Sequence, residues 1–202
     1  MSKEPSAQLA SIATPALSVP AVASWVRPAG ILVAGSALVA ACAHVALPLV
    51  FTPVPLTLGP LAVLLLGLLL RPRLAAATLG AYLAEGALGL PVFAPGPMAS
   101  SGLAHLVGPT GGYLVAYPFA VALISMLWRR TGRTFTSALA AAAVGNLAIL
   151  VCGALWLRIL THASASTAFT LGVLPFLPGD ALKIAAAAAF ATGWQRLRRS
   201  FR

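Results

Sequence analysis

The sequence predicts an all-α integral membrane protein, a bundle of six transmembrane helices with both termini on the cytoplasmic side. Three observations carry that expectation. Hydrophobic residues make up 60% of the 202 and charged residues only 8%, where a soluble domain is roughly a quarter charged; mean hydropathy is +0.96. The apolar residues form long runs rather than amphipathic stripes, which is the membrane pattern. The basic residues, responsible for a formal net charge of +10, fall in short clusters between those runs. Such clusters read as topology signals and not as a phosphate-binding face, which argues against a nucleic-acid partner.

Residues 1–27 are polar and proline-spaced, with Pro5, Pro15 and Pro20 interrupting any helix. They lack the dense apolar stretch of a signal peptide and are expected to be a flexible N-terminal extension. Residues 28–202 form the membrane domain, with spans expected at 29–47, 57–70, 74–90, 111–128, 135–160 and 171–194. The second is short for a crossing of about 20 residues, so it begins in the preceding loop or tilts little. Arg71 and Arg73 separate spans two and three, Arg129, Arg130 and Arg133 separate four and five, and Arg196, Arg198, Arg199 and Arg202 follow six. Lys3 and Arg27 precede span one. With six spans all these charges share one side, and the positive-inside rule makes it the cytoplasm. The localisation that follows is a multi-pass protein of the bacterial cytoplasmic membrane.

The other three connections, 48–56, 91–110 and 161–170, contain no Lys or Arg. The first is stiffened by Pro48, Pro53 and Pro55. The second is rich in Gly and Pro with little charge, as expected for non-helical backbone that caps a cavity. A lid over an outward-facing pocket is the preferred reading.

Three charges fall inside the expected spans: Glu85, Asp180 and Lys183. Each costs roughly 2.5–3.5 kcal/mol near a helix centre on insertion scales. Asp180 and Lys183 are three residues apart, so they share a helix face and can pair. The pair either stitches helices together or faces a pocket, where Asp180 accepts N–H donors and Lys183 donates to a carbonyl or carboxylate. Glu85 falls at comparable depth, as a third pocket residue or as a carboxyl that is protonated or snorkels. Asn146 is a lone amide in an Ala-rich span, interhelical glue or ligand contact. Phe51, Phe93, Tyr113 and Tyr117 lie near outer helix ends, as an interfacial belt or, for Phe93 and Tyr113 especially, as pocket lining.

Cys42 and Cys152 show no CxxC spacing and read as small buried hydrophobes. His44, His105 and His162 are scattered, so no metal and no cofactor are expected. The 202 residues contain neither a GxxxxGK[ST] phosphate loop nor an HExxH helix, and no nucleophile–His–Asp pattern is visible. Repeated halves with matching broken helices, the mark of many self-sufficient carriers, are not visible either. Six spans with an outward pocket and no motor point to a binding subunit, not an enzyme, that needs an energised partner.

Four segments in order, TPVPLTLGPLAVLLLGLLLRPR (52–73), YLAEGALGLPVFA (82–94), GPTGGYL (108–114) and PGDALK (178–183), resemble the BioY family. BioY proteins are the biotin-specific substrate-binding (S) components of energy-coupling factor (ECF) transporters. The resemblance runs from about residue 29 to the end. It implies a six-helix membrane bundle that binds biotin with high affinity near the outer face. Its implied partners are a transmembrane coupling (T) protein and two ATP-binding cassette ATPases, on which ATP hydrolysis would reside. It also implies that Asp180 and Lys183 contact biotin, that Glu85 is a second candidate for the ureido group, and that Phe93 and Tyr113 cover the apolar rings. Ala37 and Ala41 fit the small-residue spacing by which the family's first helix docks to the coupling protein. Gly59 departs from the family pattern, which often has glutamine there, so a polar contact from that position is absent. An S component for another small vitamin, or a proton-coupled carrier working through Glu85 and Asp180, are the alternatives. Self-association of the chain when alone stays open.

Overall fold

The computed structural model describes residues 21–95 and 102–201. Its helices are α1 (Ala21–His44), α2 (Gly59–Leu69), α3 (Pro72–Ala87), α4 (Leu103–Val107), α5 (Gly111–Arg130), α6 (Phe135–Thr161), α7 (Ala165–Gly172) and α8 (Leu177–Ser200). A 3-10 turn at Leu174–Phe176 joins α7 to α8, and two short strands, β1 (Ala46–Leu47) and β2 (Leu56–Thr57), pair antiparallel. The all-α membrane architecture is therefore present. Among the described residues four stretches are long and apolar enough to cross a bilayer: Trp25–His44, Gly111–Arg130, Phe135–Thr161 and Ala165–Ser200. At 11 and 16 residues, α2 and α3 fall short of a full span. They are joined by the single bend at Leu70 and Arg71.

Element boundaries differ from the sequence reading where local chemistry is ambiguous. Helix α1 starts at Ala21, eight residues before the expected start at 29, and carries Pro28 inside it. A proline near the end of a membrane helix is tolerated where other groups re-satisfy the freed carbonyl. The connection at 161–170 is mostly helical: Ser164 caps α7 by accepting the Thr167 N–H at 3.1 Å. Span six consequently starts later, at Leu177, after the turn set by Pro175. The proline-rich connection at 48–55 is the tip of the β1–β2 hairpin, and the Thr52 hydroxyl ties it to α7 by donating to Leu171 O at 2.9 Å.

The bundle is solid at one end and hollow at the other. At the arginine-bearing end, Leu64, Leu68, Ile124, Trp128, Ala138, Ala142, Ala187 and Ala191 form one continuous apolar cluster. Small residues set the helix spacing there. A side chain at Gly145 on α6 would overlap Ile124 of α5, and a Cβ at Gly67 on α2 would lie 2.8 Å from the same isoleucine. A second cluster, containing Val54, Tyr82, Tyr113, Tyr117, Ile149 and Phe176, surrounds the hollow end. Outward faces are apolar, as lipid contact requires: Phe119, Leu147, Ile159 and Leu182 are all exposed. Cys152 belongs to that outer surface, not to the core, because its face of α6 is the one bearing exposed Val151 and Leu155.

Replacing Gly145 by valine should cost roughly 1–3 kcal/mol through overpacking against Ile124, read as a lower melting temperature in detergent. Gly193→Ala, where a Cβ meets nothing within 4 Å, should leave the melting temperature unchanged or slightly raised.

Candidate ligand site

The hollow end encloses a cavity of ≈ 60 Å³, several times the roughly 10–15 Å³ that one water needs. Its walls come from every major part of the chain. The α1 end and hairpin supply Ala43, Val54 and Thr57, α3 supplies Tyr82, and the loop and α4 supply Ala94 and His105. Tyr113, Leu114 and Tyr117 come from α5, Asn146, Ile149 and Leu150 from α6, Phe176 from the 3-10 turn, and Asp180 and Lys183 from the start of α8. The wall is mainly apolar with a compact polar group on one side.

That polar group is a chain of three side chains. Lys183 Nζ lies 3.0 Å from Asp180 Oδ1, an i, i+3 ion pair within the first turns of α8. Asn146 Nδ2, from α6, donates to the other carboxylate oxygen at 2.9 Å. All three residues are buried, Asp180 at 3% exposure. The N-terminus of α8 also favours a negative charge in its first turn. The carboxylate is thus held by a cation, an amide and a helix end, which is what a charge in an apolar bundle needs to persist. An Asp carboxylate only accepts hydrogen bonds, so the amide of Asn146 must turn its NH₂ towards it. The amide oxygen is then directed elsewhere; it is buried and has no hydrogen-bond partner in the protein. Lys183 has three N–H donors and spends one on Asp180. The arrangement leaves an open acceptor at Asn146 and open donors at Lys183 on the wall of one cavity.

Tyr113 fixes another side. Its hydroxyl donates to Gly172 O at 2.6 Å, and its ring lies so close to α6 that any side chain at Gly153 would overlap it. Tyr117 follows one turn later, buried, with its hydroxyl 3.3 Å from where a Cβ of Gly59 would be. Of the residues expected at a pocket, Asp180, Lys183, Asn146 and Tyr113 come together on the cavity wall. Phe93 does not line it. Phe93 is seated in the notch left by Gly86, edge-on to Tyr82 (centroids 5.5 Å apart) and stacked on His105 (4.9 Å), and so backs two residues that do. Glu85 is also away from the wall: it accepts a hydrogen bond from the Ser36 hydroxyl and joins α3 to α1. Sequence spacing alone does not separate Glu85 from Tyr82, three residues earlier on the same side of α3; the contact with Ser36 of α1 does. Ala37 and Ala41 are exposed, one turn apart on the outer face of α1. Part of the expected lid, residues 96–101, lies outside the described residues.

His105 and Phe176 have no role in the sequence reading, and Tyr117, an interfacial or pocket-lining aromatic there, is not among the residues favoured for the pocket. The i, i+4 spacing of Tyr113 and Tyr117 was the available signal for the latter. Among the described residues no group of three or more His, Cys, Asp or Glu is placed to hold a metal ion.

The family model described as "BioY family" matches residues 10–200. The chain belongs to the BioY family. A relative described as a probable biotin transporter BioY from Pyrococcus horikoshii is 43% identical over 139 residues, 69% of this chain and 79% of that protein. Biotin transporter BioY2 of Lactococcus lactis is 37% identical over 149 residues, 74% and 79% of the two chains. Biotin transporter BioY of Thermotoga maritima is 32% identical over 162 residues, 80% and 92%. Among solved structures, the S-component for biotin from an ECF-type ABC transporter superposes with a TM-score of 0.78 at 26% identity, over 89% of this chain and 95% of that one. The BioY match begins at residue 10, well before residue 29, from which the resemblance is expected to run.

Lys183→Met in this BioY-family chain removes the cation from a buried carboxylate and should cost roughly 3–5 kcal/mol. Asp180→Asn combined with Lys183→Met removes both charges and should recover much of that loss. Melting of the purified single and double variants checks it: equal losses would mean that the two charges are not coupled.

Proposed function

We propose that this chain is the biotin-binding S component of an ECF transporter and mediates biotin uptake together with a transmembrane coupling protein and two ATPases. The single observation that carries this reading is the polar chain Asn146–Asp180–Lys183 on the wall of an otherwise apolar cavity, in a BioY-family fold. Biotin presents a ureido ring with two N–H donors and one carbonyl, an apolar sulfur ring, and a valerate carboxylate. The open amide oxygen of Asn146 and the carboxylate of Asp180 match the two N–H groups. The spare donors of Lys183 match the carbonyl or the valerate. Tyr113 and its neighbours Tyr117 and Phe176 supply apolar cover for the rings, with Phe93 holding the wall from behind. Glu85 remains a candidate contact only if the ligand reaches past Tyr82 to α3.

The six-span topology goes with this reading: α2 and α3 act as two short crossings, with α1, α5, α6 and α8 as full ones. Arginines at the solid end put that end in the cytoplasm by the positive-inside rule, and the cavity near the outer face of the bacterial inner membrane. The N-terminal extension expected at residues 1–27 lies, up to residue 20, outside the described residues. The exposed Ala37 and Ala41 on α1 allow close helix approach and suit docking to the coupling protein. The isolated chain contributes binding alone. Inward release requires a conformational change driven by partners, because a ligand shifts an equilibrium only by its differential affinity for the two states.

Equilibrium binding of radiolabelled biotin to the purified chain tests the proposal. Saturable binding is expected, weakened at least about a hundredfold in Asp180→Asn and in Lys183→Ala by loss of charge-assisted hydrogen bonds. Glu85→Gln, away from the cavity wall, should bind within a few-fold of wild type. No binding by folded wild-type protein would overturn the biotin assignment in favour of another vitamin.

A further inference from the structure

The solid end of the bundle carries charge that no side-chain carboxylate among the described residues balances. Arg129, in the last turn of α5, is half-buried; it is partly desolvated, and the charges of Arg133 and Arg71 both act on it. Arg71, in the turn between α2 and α3, and Arg133, in the turn between α5 and α6, lie at the same end of the bundle as Arg129, whose neighbour Ser125 is hydrogen-bonded to Leu70 O in the first of those turns. The only side-chain carboxylates among the described residues are Glu85 and Asp180. Both are engaged at the other end, with Ser36 and with Asn146 and Lys183.

The surrounding geometry favours an anion from outside the chain. Arg129 Nε donates to Ser125 Oγ at 3.2 Å, and that hydroxyl donates to Leu70 O at 2.6 Å, so the guanidinium is oriented across the α2–α3 turn. Helix α3 starts at this point with Arg71 as its N-cap, Pro72 (which has no N–H) as its first residue and no side-chain cap. Arg133 adopts φ 52°, left-handed backbone that disfavours a side chain, although Gly132 stands next to it in sequence. An arginine kept at a position that suits glycine is a cost tolerated for the sake of its side chain.

We propose that Arg71, Arg129 and Arg133 form a binding site for the phosphate headgroup of an anionic phospholipid. A lipid is favoured over a free phosphate by what lies along α5. Met126, three residues before Arg129 and on the same helix face, is exposed, and Phe119, two turns further, is exposed as well. An apolar stripe that ends in a guanidinium cluster matches an acyl chain ending in a phosphate. The site is independent of the biotin cavity, which occupies the opposite end.

Native mass spectrometry of the full chain, equilibrated with equal amounts of phosphatidylglycerol and phosphatidylcholine of the same acyl chains, tests the site. Phosphatidylglycerol should be retained preferentially, with a loss of preference of about fivefold per guanidinium removed. Arg133→Gly should show that loss without a lower melting temperature, since glycine suits the backbone there, and Arg71→Gln/Arg133→Gly should lose about 25-fold. Arg158→Gln removes the same charge at the far end of α6 and should change nothing. An unchanged preference in the double variant, or an equal loss in Arg158→Gln, would overturn the site. Displacement of the lipid by millimolar inorganic phosphate would make it a free-anion site and overturn the lipid. Equal retention of the two lipids by wild type would also overturn the lipid and leave an acidic protein partner as the group that meets the cluster.

Discussion

The buried ion pair of Asp180 and Lys183, with Asn146 on its third side, is the constraint around which the hollow end is organised. A carboxylate this deeply buried in an apolar bundle survives only if it is paired with a cation and hydrogen-bonded. The engagement here draws on two helices at once. α8 must start where its first turn meets the middle of α6, which fixes the depth at which the 3-10 turn Leu174–Phe176 sits. That turn brings Phe176 to within 6.2 Å of the Tyr113 ring, and Tyr113 in turn binds Gly172 O at the end of α7. The cavity wall follows from one electrostatic requirement.

The two ends of the molecule answer the same physics differently. At the solid end small residues, Gly67 and Gly145 among them, let three helices close on Ile124, and dispersion contacts hold them together beside the Ser125 hydroxyl's bond to Leu70 O. At the hollow end aromatic side chains hold the helices apart and their hydroxyls return to backbone carbonyls: Tyr113 to Gly172, Tyr82 to Val92. A membrane bundle has no hydrophobic drive to collapse such a space, because lipid is as apolar as the wall. The cavity therefore persists as long as its aromatic props are tied, and the packing of Phe93 into the Gly86 notch helps to tie them. A rigid lower half with a propped upper half suits a subunit that binds its ligand on its own and depends on others to release it.

Much of this was legible in the sequence. The long apolar runs between arginine clusters announced membrane helices, since burying charge in lipid is expensive and each arginine must find water or a headgroup. α5 and α6 were located to within two residues, because Arg129–Arg130 and the Thr134 cap end and begin them sharply. The boundaries of α1 and α8 were displaced, because alanine-rich flanks and prolines leave several registers of nearly equal cost. The i, i+3 spacing of Asp180 and Lys183 showed that they could pair, and their expense in a membrane marked them as worth attention. Asn146 was visible as a lone amide, but its partner, 34 residues away in sequence, was not.

Sequence by itself determined the all-α membrane class, the alternation of charge, the pairing of Asp180 with Lys183 and the family motifs, because each rests on local periodicity or on the cost of transferring a group into lipid. Tertiary structure decided which faces turn inward. It put Glu85 on Ser36 rather than on the cavity, set Phe93 behind the wall, brought His105 and Tyr117 to it, and tied the Arg129 end of α5 to the α2–α3 turn. Those outcomes depend on helix rotation and depth, which are set jointly by all neighbouring helices and are written in no single segment.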